Sequence, residues 1–267
     1  MFSSFDLRAG YNQMWVHPES RKLTSFTVND RGNMKKYQFT RIPQGMKNSG
    51  AYFQQGMLKI IQDLPLAFVY LDDILIASKK ETHIETTRRL FQRLRQFNVK
   101  LSPSKCTFAR KKVKYLGFVI SKEGVEITED KIKIIKEMPR PRNTKELRRL
   151  SGFLNYVRRQ VEGYSTIMAP LYDLLKENNK FVWTEKHEEA FITIKRKICE
   201  FSMIYFADTS KTFELQIDAS KEAVAFIFQQ RDDQMIYLRN IVYGGRKLRM
   251  HERKLYGSSE LEALGLV

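Results

Sequence analysis

Cysteine is nearly missing from this 267-residue chain: Cys106 and Cys199 stand far apart and form no CxxC pair. A disulfide framework and a thiolate zinc site are thereby excluded, and a reducing, intracellular setting, cytoplasmic or nuclear, is expected. Long apolar runs are missing too. None approaches the roughly 18 residues of a membrane-spanning helix, so no membrane partner is expected. The opening residues, Met1-Phe2-Ser3-Ser4-Phe5-Asp6, lack the basic stretch and apolar run of a secretory leader, and a secreted protein is not expected. Acidic residues are in deficit: 30 Asp and Glu face 47 Lys and Arg, for a net charge of +17. That balance favours a polyanionic partner, a nucleic-acid backbone ahead of an anionic membrane surface. The positive charge is densest over 88–114 and 131–159. Apolar residues at 42% and aromatics at 12% suffice for a buried core and argue against disorder.

The stretch with most chemical content is Phe68-Val69-Tyr70-Leu71-Asp72-Asp73-Ile74-Leu75-Ile76. Two runs rich in β-branched and aromatic residues read as strands, with Leu-Asp-Asp as the tight turn between them. Side chains alternate across a strand, so the two carboxylates are expected to point different ways. Either the pair is a solvated turn, or it offers oxygen ligands to a hard cation such as Mg²⁺.

Before this hairpin, Trp15-Val16 and Thr24 to Val28 have strand character, Asp30-Arg31-Gly32-Asn33 reads as a turn, and Lys36 to Arg41 as the returning strand. Asp6 ends a short apolar piece and could equally cap a helix. Pro43 and Gly45 punctuate a loop that feeds a helix capped by Asn48 or Ser49, with Phe53, Met57, Ile60 and Ile61 on its inner face. Such a loop either presents backbone N–H groups to a phosphate or base or is an ordinary connector. Residues 82–98 read as an amphipathic helix with Ile84, Leu90, Phe91, Leu94 and Phe97 as its stripe. Val113 to Ile120, with Gly117 inside, reads as one strand. Two basic helices follow, capped by Thr128 and Thr144 and broken by Pro139-Arg140-Pro141-Arg142. They suit a nucleic-acid backbone. Helices continue through Met168 to Leu175 and Glu188 to Cys199. From about 210 the pattern turns to strands, over Lys211 to Ser220, Ala223 to Gln229 and Met235 to Tyr243, and a helix begins at Ser258.

In order, Phe5-Asp6-Leu7-Arg8-Ala9-Gly10-Tyr11, Pro43-Gln44-Gly45-Met46-Lys47-Asn48-Ser49, Tyr70-Leu71-Asp72-Asp73 and Leu116-Gly117 resemble the motifs of reverse transcriptases of gypsy-type LTR retrotransposons. Leu147 to Tyr156, Phe181 to Thr184, Asp218-Ala219-Ser220 and Arg246-Lys247-Leu248 extend the resemblance over essentially the whole chain. It implies an α+β fold: a polymerase palm with an antiparallel sheet and helices over 1–126, its fingers largely absent, a helical thumb over 127–176, a connection over 177–209, and a partial α/β domain of the ribonuclease H type over 210–267. It implies RNA-directed DNA polymerase activity with two Mg²⁺ ions, Mn²⁺ being an alternative, on an RNA or DNA template with primer and deoxynucleoside triphosphates.

By the same resemblance Asp6 and Asp72 are the main metal ligands and Asp73 assists. Tyr11 screens against a 2′-hydroxyl, Gln44 and Gly45 touch template and incoming nucleotide, Lys105 stands near the triphosphate, and Leu116 and Gly117 grip the primer. Asp218 and Glu260 match the first two metal ligands of a ribonuclease H; Leu261-Glu262-Ala263 after Glu260 selects it over Glu262. The chain starts five residues before Asp6 and stops before the third and fourth acidic positions of a ribonuclease H, so an incomplete ribonuclease H is expected. A second reading is a catalytically inactive, element-derived nucleic-acid-binding protein. The oligomeric state is left open.

Overall fold

The computed structural model describes every residue except 177–178, 201–202, 233–236 and 266–267. The chain forms two compact units, one of residues 1–116 and 120–122, the other of 117–119 and 123–267.

The first unit is built on a four-stranded sheet. In chain order its elements are β1 (Phe2–Asp6), β2 (Phe26–Asp30), β3 (Asn33–Tyr37), α1 (Ser49–Ile61), β4 (Ala67–Tyr70), β5 (Asp73–Ala77), α2 (His83–Gln96), β6 (Thr107–Arg110) and β7 (Lys112–Tyr115). The sheet order is β4-β5-β1-β6, and β2 and β3 form a separate hairpin. Strand β5 is buried on both faces, which is why its sequence runs continuously apolar instead of alternating. Ile74 and Ile76 join Phe53, Met57, Ile60, Leu90 and Leu94 from the two helices in one core. Leu75 points the opposite way, to Phe2 and Val113. Each such fully buried side chain contributes about 1.5–3 kcal/mol over an exposed one.

In the second unit, β8 (Phe118–Ser121) marks the passage between units and is followed by β9 (Gly124–Ile127), α3 (Glu129–Glu137), α4 (Thr144–Asn155), α5 (Tyr164–Asp173), α6 (Glu185–Cys199), β10 (Ile204–Tyr205), β11 (Glu214–Ala219), β12 (Ala223–Arg231), β13 (Leu238–Lys247), α7 (Met250–Leu255) and α8 (Ser258–Gly265). Helices α3 to α6 close on Ile135, Leu147, Leu150, Leu154, Met168, Leu171, Phe191 and Ile194. Strands β11-β12-β13 form an antiparallel sheet. Leu261 of α8 packs with Val224 and Leu248 against it. The Lys247 ammonium joins β13 to α5, donating to the Ala169 carbonyl and the Asp173 carboxylate at 3.1 and 2.7 Å. The last sheet thus borrows its support from the helices before it.

Several local expectations change. The single strand expected over Val113–Ile120 is two strands, because Leu116 and Gly117 both take positive φ (47° and 71°) and make a turn. Asn143, not Thr144, caps α4: its Oδ1 accepts from the Glu146 N–H at 2.9 Å. Ile84 is exposed, and His83 takes the inner position at the start of α2. The strand expected over Lys36–Arg41 lies instead at Asn33–Tyr37, and Pro18–Thr24 form 3₁₀ turns. Strand β6 and helix α7 carried no clear pattern of their own. Met235 and Ile236, expected to open the last strand, lie outside the described residues.

Candidate active site

Asp6 is the last residue of β1 and Asp73 the first of β5, and the two are directly opposite in the antiparallel register. Strands β4 and β5 pair Tyr70 with Asp73, so Leu71 and Asp72 form a two-residue loop beyond that pair. The loop stands over the end of β1, where the Leu7 N–H donates to the Asp72 carbonyl at 3.1 Å. On the other side of β1 the Asp6 carbonyl accepts from the Ser102 N–H at 2.8 Å. Sheet pairing thereby brings residues far apart in sequence to one corner. The turn contains two residues, narrower than the three-residue Leu-Asp-Asp expected, because Asp73 already belongs to the ladder.

Two details of the corner bear on its chemistry. Asp6 Oδ1 and Asp72 Oδ1 are both buried and accept no hydrogen bond. Leaving a buried acceptor unpaired costs about 1–3 kcal/mol, more when it is charged, so native proteins seldom keep two side by side without use for them. Gly10 packs against Asp72 so closely that a Cβ there would collide with the carboxylate. Burial, followed by the charges of Asp6 and Asp73, holds the Asp72 carboxyl above the usual range. Burial and Asp6 do the same to Asp73, and Lys105 opposes the rise at both. Lys105 Nζ lies 3.3 Å from Asp6 Oδ1 and 3.5 Å from Oδ2. Beneath the corner, the Tyr115 hydroxyl donates to the Asp73 carbonyl at 3.4 Å; burial and the Asp73 charge push its pKa up to about 12.

Clustered carboxylates with raised pKa and unpaired oxygens mark a functional site more often than a structural one. The donor set fits a divalent cation: hard, anionic oxygens that repel one another, with the exposed Lys105 ammonium beside Asp6 as their one nearby counter-charge among the described residues. Among the described residues no three His, Cys, Asp or Glu side chains converge as a ready-made metal cage. Mg²⁺ does not require one, since it is commonly held by one or two carboxylates with water and substrate phosphate.

Other expected site residues fall as follows. Tyr11 is half-buried in the 3₁₀ turn after β1 and stacks on Phe53 (4.8 Å between centroids, 21°). Gln44 and Gly45 lie in an exposed bend before α1, which Ser49 steadies by donating to the Pro43 carbonyl at 3.0 Å. Gly117 makes room for Lys131, whose ammonium would meet any Cβ placed there and rests 3.4 Å over the Tyr156 ring. Leu116 is the residue before it in that turn. Asp218 is exposed on β11. Glu260 is exposed, and its Oε2 accepts from the Gly257 N–H at 2.7 Å, half of a helix-capping arrangement. Neither belongs to a group of three or more His, Cys, Asp or Glu side chains able to hold a metal among the described residues.

One residue that sequence reasoning did not single out is Gln54 on α1. Its Nε2 donates to the Val69 carbonyl at 3.0 Å and its Oε1 accepts from the Leu71 N–H at 2.6 Å. Leu71 holds a positive φ of 52° at the first position of the two-residue loop, a place glycine usually fills. That conformation costs a non-glycine residue about 1–2 kcal/mol. The only sequence signal is a Gln-Gln pair on the otherwise apolar stretch of α1.

A palm-like sheet backed by two helices, with paired carboxylates at one strand end and a basic helical region after it, defines a nucleic-acid polymerase architecture. Two stretches of the chain match reverse transcriptase families. Residues 1–120 match the family of reverse transcriptases (RNA-dependent DNA polymerases), and residues 183–267 match the RNase H-like domain found in reverse transcriptase. The retrovirus-related Pol polyprotein from transposon 412 of Drosophila melanogaster is 31% identical over 232 residues, 86% of this chain and 18% of its own length. That from transposon gypsy of the same organism is 29% identical over 281 residues, covering 100% of this chain and 26% of its own length. The chain thus spans about a quarter or less of these relatives. The structure of the foamy viral protease-reverse transcriptase in complex with an RNA/DNA hybrid covers 99% of this chain and 35% of that one, with a TM-score of 0.82 and 25% identity. A second foamy viral structure, in complex with dsDNA, gives a TM-score of 0.80 at 26% identity, over 97% of this chain and 54% of that one. The fold is accordingly α+β, and no helix among the described residues is long and apolar enough to cross a membrane. Reverse transcriptases generally use divalent metal ions.

Proposed function

We propose that this chain is the polymerase part of a retrotransposon Pol polyprotein, adding deoxynucleotides to a primer on an RNA or DNA template. The observation that carries it is the pair of unbonded, buried carboxylate oxygens of Asp6 and Asp72, juxtaposed by β1 and the β4–β5 turn. Asp6 and Asp72 would hold the metal, with Asp73 adding negative charge. Two Mg²⁺ ions bound there, or Mn²⁺ in their place, would lower the pKa of the primer 3′-hydroxyl and neutralise the charge that develops on the phosphate. The protein's own part is positioning. Tyr11, braced by Phe53, stands as a wall against a 2′-hydroxyl. Lys105, paired with Asp6 in the structure, would turn to the triphosphate. Gln44 and Gly45 touch the template and nucleotide, and Leu116 and Gly117 the primer end.

The division into palm (1–126), thumb (127–176), connection (177–209) and ribonuclease H-like part (210–267) belongs to this reading. Arg148 and Arg149, exposed on α4, are placed for phosphate contacts. The free thiols of Cys106 and Cys199 suit action in the cytoplasm or nucleus. We further infer that residues 210–267 do not hydrolyse RNA: Asp218 is solvent-exposed, and Glu260 is engaged at its own helix terminus.

Primer extension on poly(rA)·oligo(dT) with Mg²⁺ tests the reading. Extension that disappears in Asp72→Asn is expected. A wild-type chain that extends no primer at any protein concentration refutes catalysis and leaves the nucleic-acid-binding alternative. Cleavage of an RNA–DNA hybrid that is lost in Asp218→Asn would overturn the second inference.

A further inference from the structure

We propose that Gln54 is a positioning residue for the Asp72 carboxylate, acting through the backbone of the turn; this rests on the polymerase reading of the corner. The two hydrogen bonds of its amide bracket the strained residue. One goes to the Val69 carbonyl, on edge strand β4 before the turn, and the other comes from the Leu71 N–H within it. A two-residue hairpin leaves the N–H of its first loop residue without a ladder partner. Gln54 supplies that partner from a different element.

Geometry explains why this matters for Asp72. Gln54 holds the peptide between Tyr70 and Leu71, and the positive φ of 52° at Leu71 turns the chain from that fixed peptide toward Asp72. The peptide after Asp72 is fixed by the bond from Leu7 N–H to the Asp72 carbonyl. Asp72 therefore stands one residue after a peptide tied to α1 and directly before a peptide tied to β1. Gly10 closes the third side, leaving the carboxylate little room to rotate. Helix α1 is itself fixed, since Phe53 and Met57 on either side of Gln54 are fully buried. Without the amide, Leu71 has no compensation for its positive φ and relaxes toward the ordinary region. The relaxed peptide swings the carboxylate away from Asp6. Phe53, the neighbour of Gln54, is the residue on which Tyr11 stacks. One turn of α1 thus braces both the metal-holding turn and the aromatic wall beside it.

Two substitutions separate positioning from general packing. Gln54→Leu keeps the bulk and removes both bonds. Gln54→Glu keeps the acceptor for the Leu71 N–H and removes the donor to Val69. The readouts are amide exchange over residues 71–73, thermal melting of the full chain, and primer extension with kcat, KM for the nucleotide and the Mg²⁺ concentration for half-maximal rate measured separately. For Gln54→Leu, exchange at 71–73 rises by about tenfold or more while the α1 amides hold their protection. Its kcat falls by about 10–100-fold, the usual effect of removing a group that orients a metal ligand. The Mg²⁺ requirement rises with it, and KM for the nucleotide stays within about twofold. Gln54→Glu falls between Leu and wild type on each readout. Unchanged exchange at 71–73 with wild-type kcat overturns the proposal, and so does a loss of activity that only tracks the fraction of folded protein. Absence of extension in the wild type refutes the polymerase reading instead, and the exchange comparison then decides on Gln54 by itself.

Discussion

Replacing Asp72 by Asn makes the protein inactive and, without metal, more stable. The corner is destabilising as built: Asp72 is held above its ordinary pKa by burial and by Asp6 and Asp73, and its Oδ1 has no hydrogen bond. An unpaired buried acceptor costs about 1–3 kcal/mol. Partial exposure of the group reduces the return, so about 1 kcal/mol is expected at pH 7 in EDTA. For a unit of this size that raises the melting temperature by roughly 3–6 °C. With metal the order reverses. Ligand at a hundredfold excess over its Kd stabilises the wild type by about 2.7 kcal/mol and stabilises Asp72→Asn by much less.

The pH dependence has a definite sign. Asp72 titrates near 3.8 in the unfolded chain and higher in the folded one, so between those values the folded state binds more protons. The contribution of Asp72 to wild-type stability therefore declines as pH rises through that window, and Asp72→Asn removes that contribution. Scanning calorimetry of both proteins from pH 4 to 7, with EDTA and with Mg²⁺, measures all of this. An Asn variant that melts below wild type in EDTA, or gains as much from Mg²⁺, refutes the reasoning.

Gly10→Ala drives a methyl into the Asp72 carboxylate; it costs about 1–3 kcal/mol by overpacking and lowers primer extension at least tenfold, checked by melting and steady-state kinetics. Glu252, buried on α7, accepts two bonds from the Arg246 guanidinium at 2.8 Å and one from the Arg249 N–H at 2.6 Å, which hold its pKa down at about 2. Its stabilisation is complete above about pH 4.5 and is lost as pH falls toward 2, so Glu252→Gln melts lower at pH 7 and loses less on acidification. Primer–template binding weakens linearly in log Kd against log salt; Arg148→Ala reduces the slope by about 1 if that arginine contacts a phosphate and leaves it unchanged if it does not, as fluorescence anisotropy will tell.

The strands on either side of Asp72-Asp73 were legible because local pattern suffices for a tight hairpin: a turn between two runs of β-branched and aromatic residues has few other solutions. The core helices were legible in the same way, as were the break at Pro139–Arg142 and the helix starts after Thr128 and Asn48, although neither side chain makes a capping hydrogen bond. Errors fell where a turn hides inside an apolar run. Leu116-Gly117 reads as strand until both residues take positive φ. Ile84 fits the stripe of α2 yet faces solvent, since His83 enters the helix on the inner side, its ring paired with Ser3 and Ser78 at 2.7 and 2.6 Å.

By itself, then, the sequence determined a basic, core-forming α+β chain, the hairpin with its two carboxylates and, through ordered motifs, the family. It could not place Asp6 opposite Asp73, since register between distant strands depends on the whole set of buried contacts and not on any local period. The tertiary structure alone decided which oxygens lost their hydrogen bonds, that Gly10 must lack a Cβ, and that Gln54 reaches across from α1 to hold the turn. Those are consequences of separate elements meeting at one corner, and no single stretch of sequence contains them.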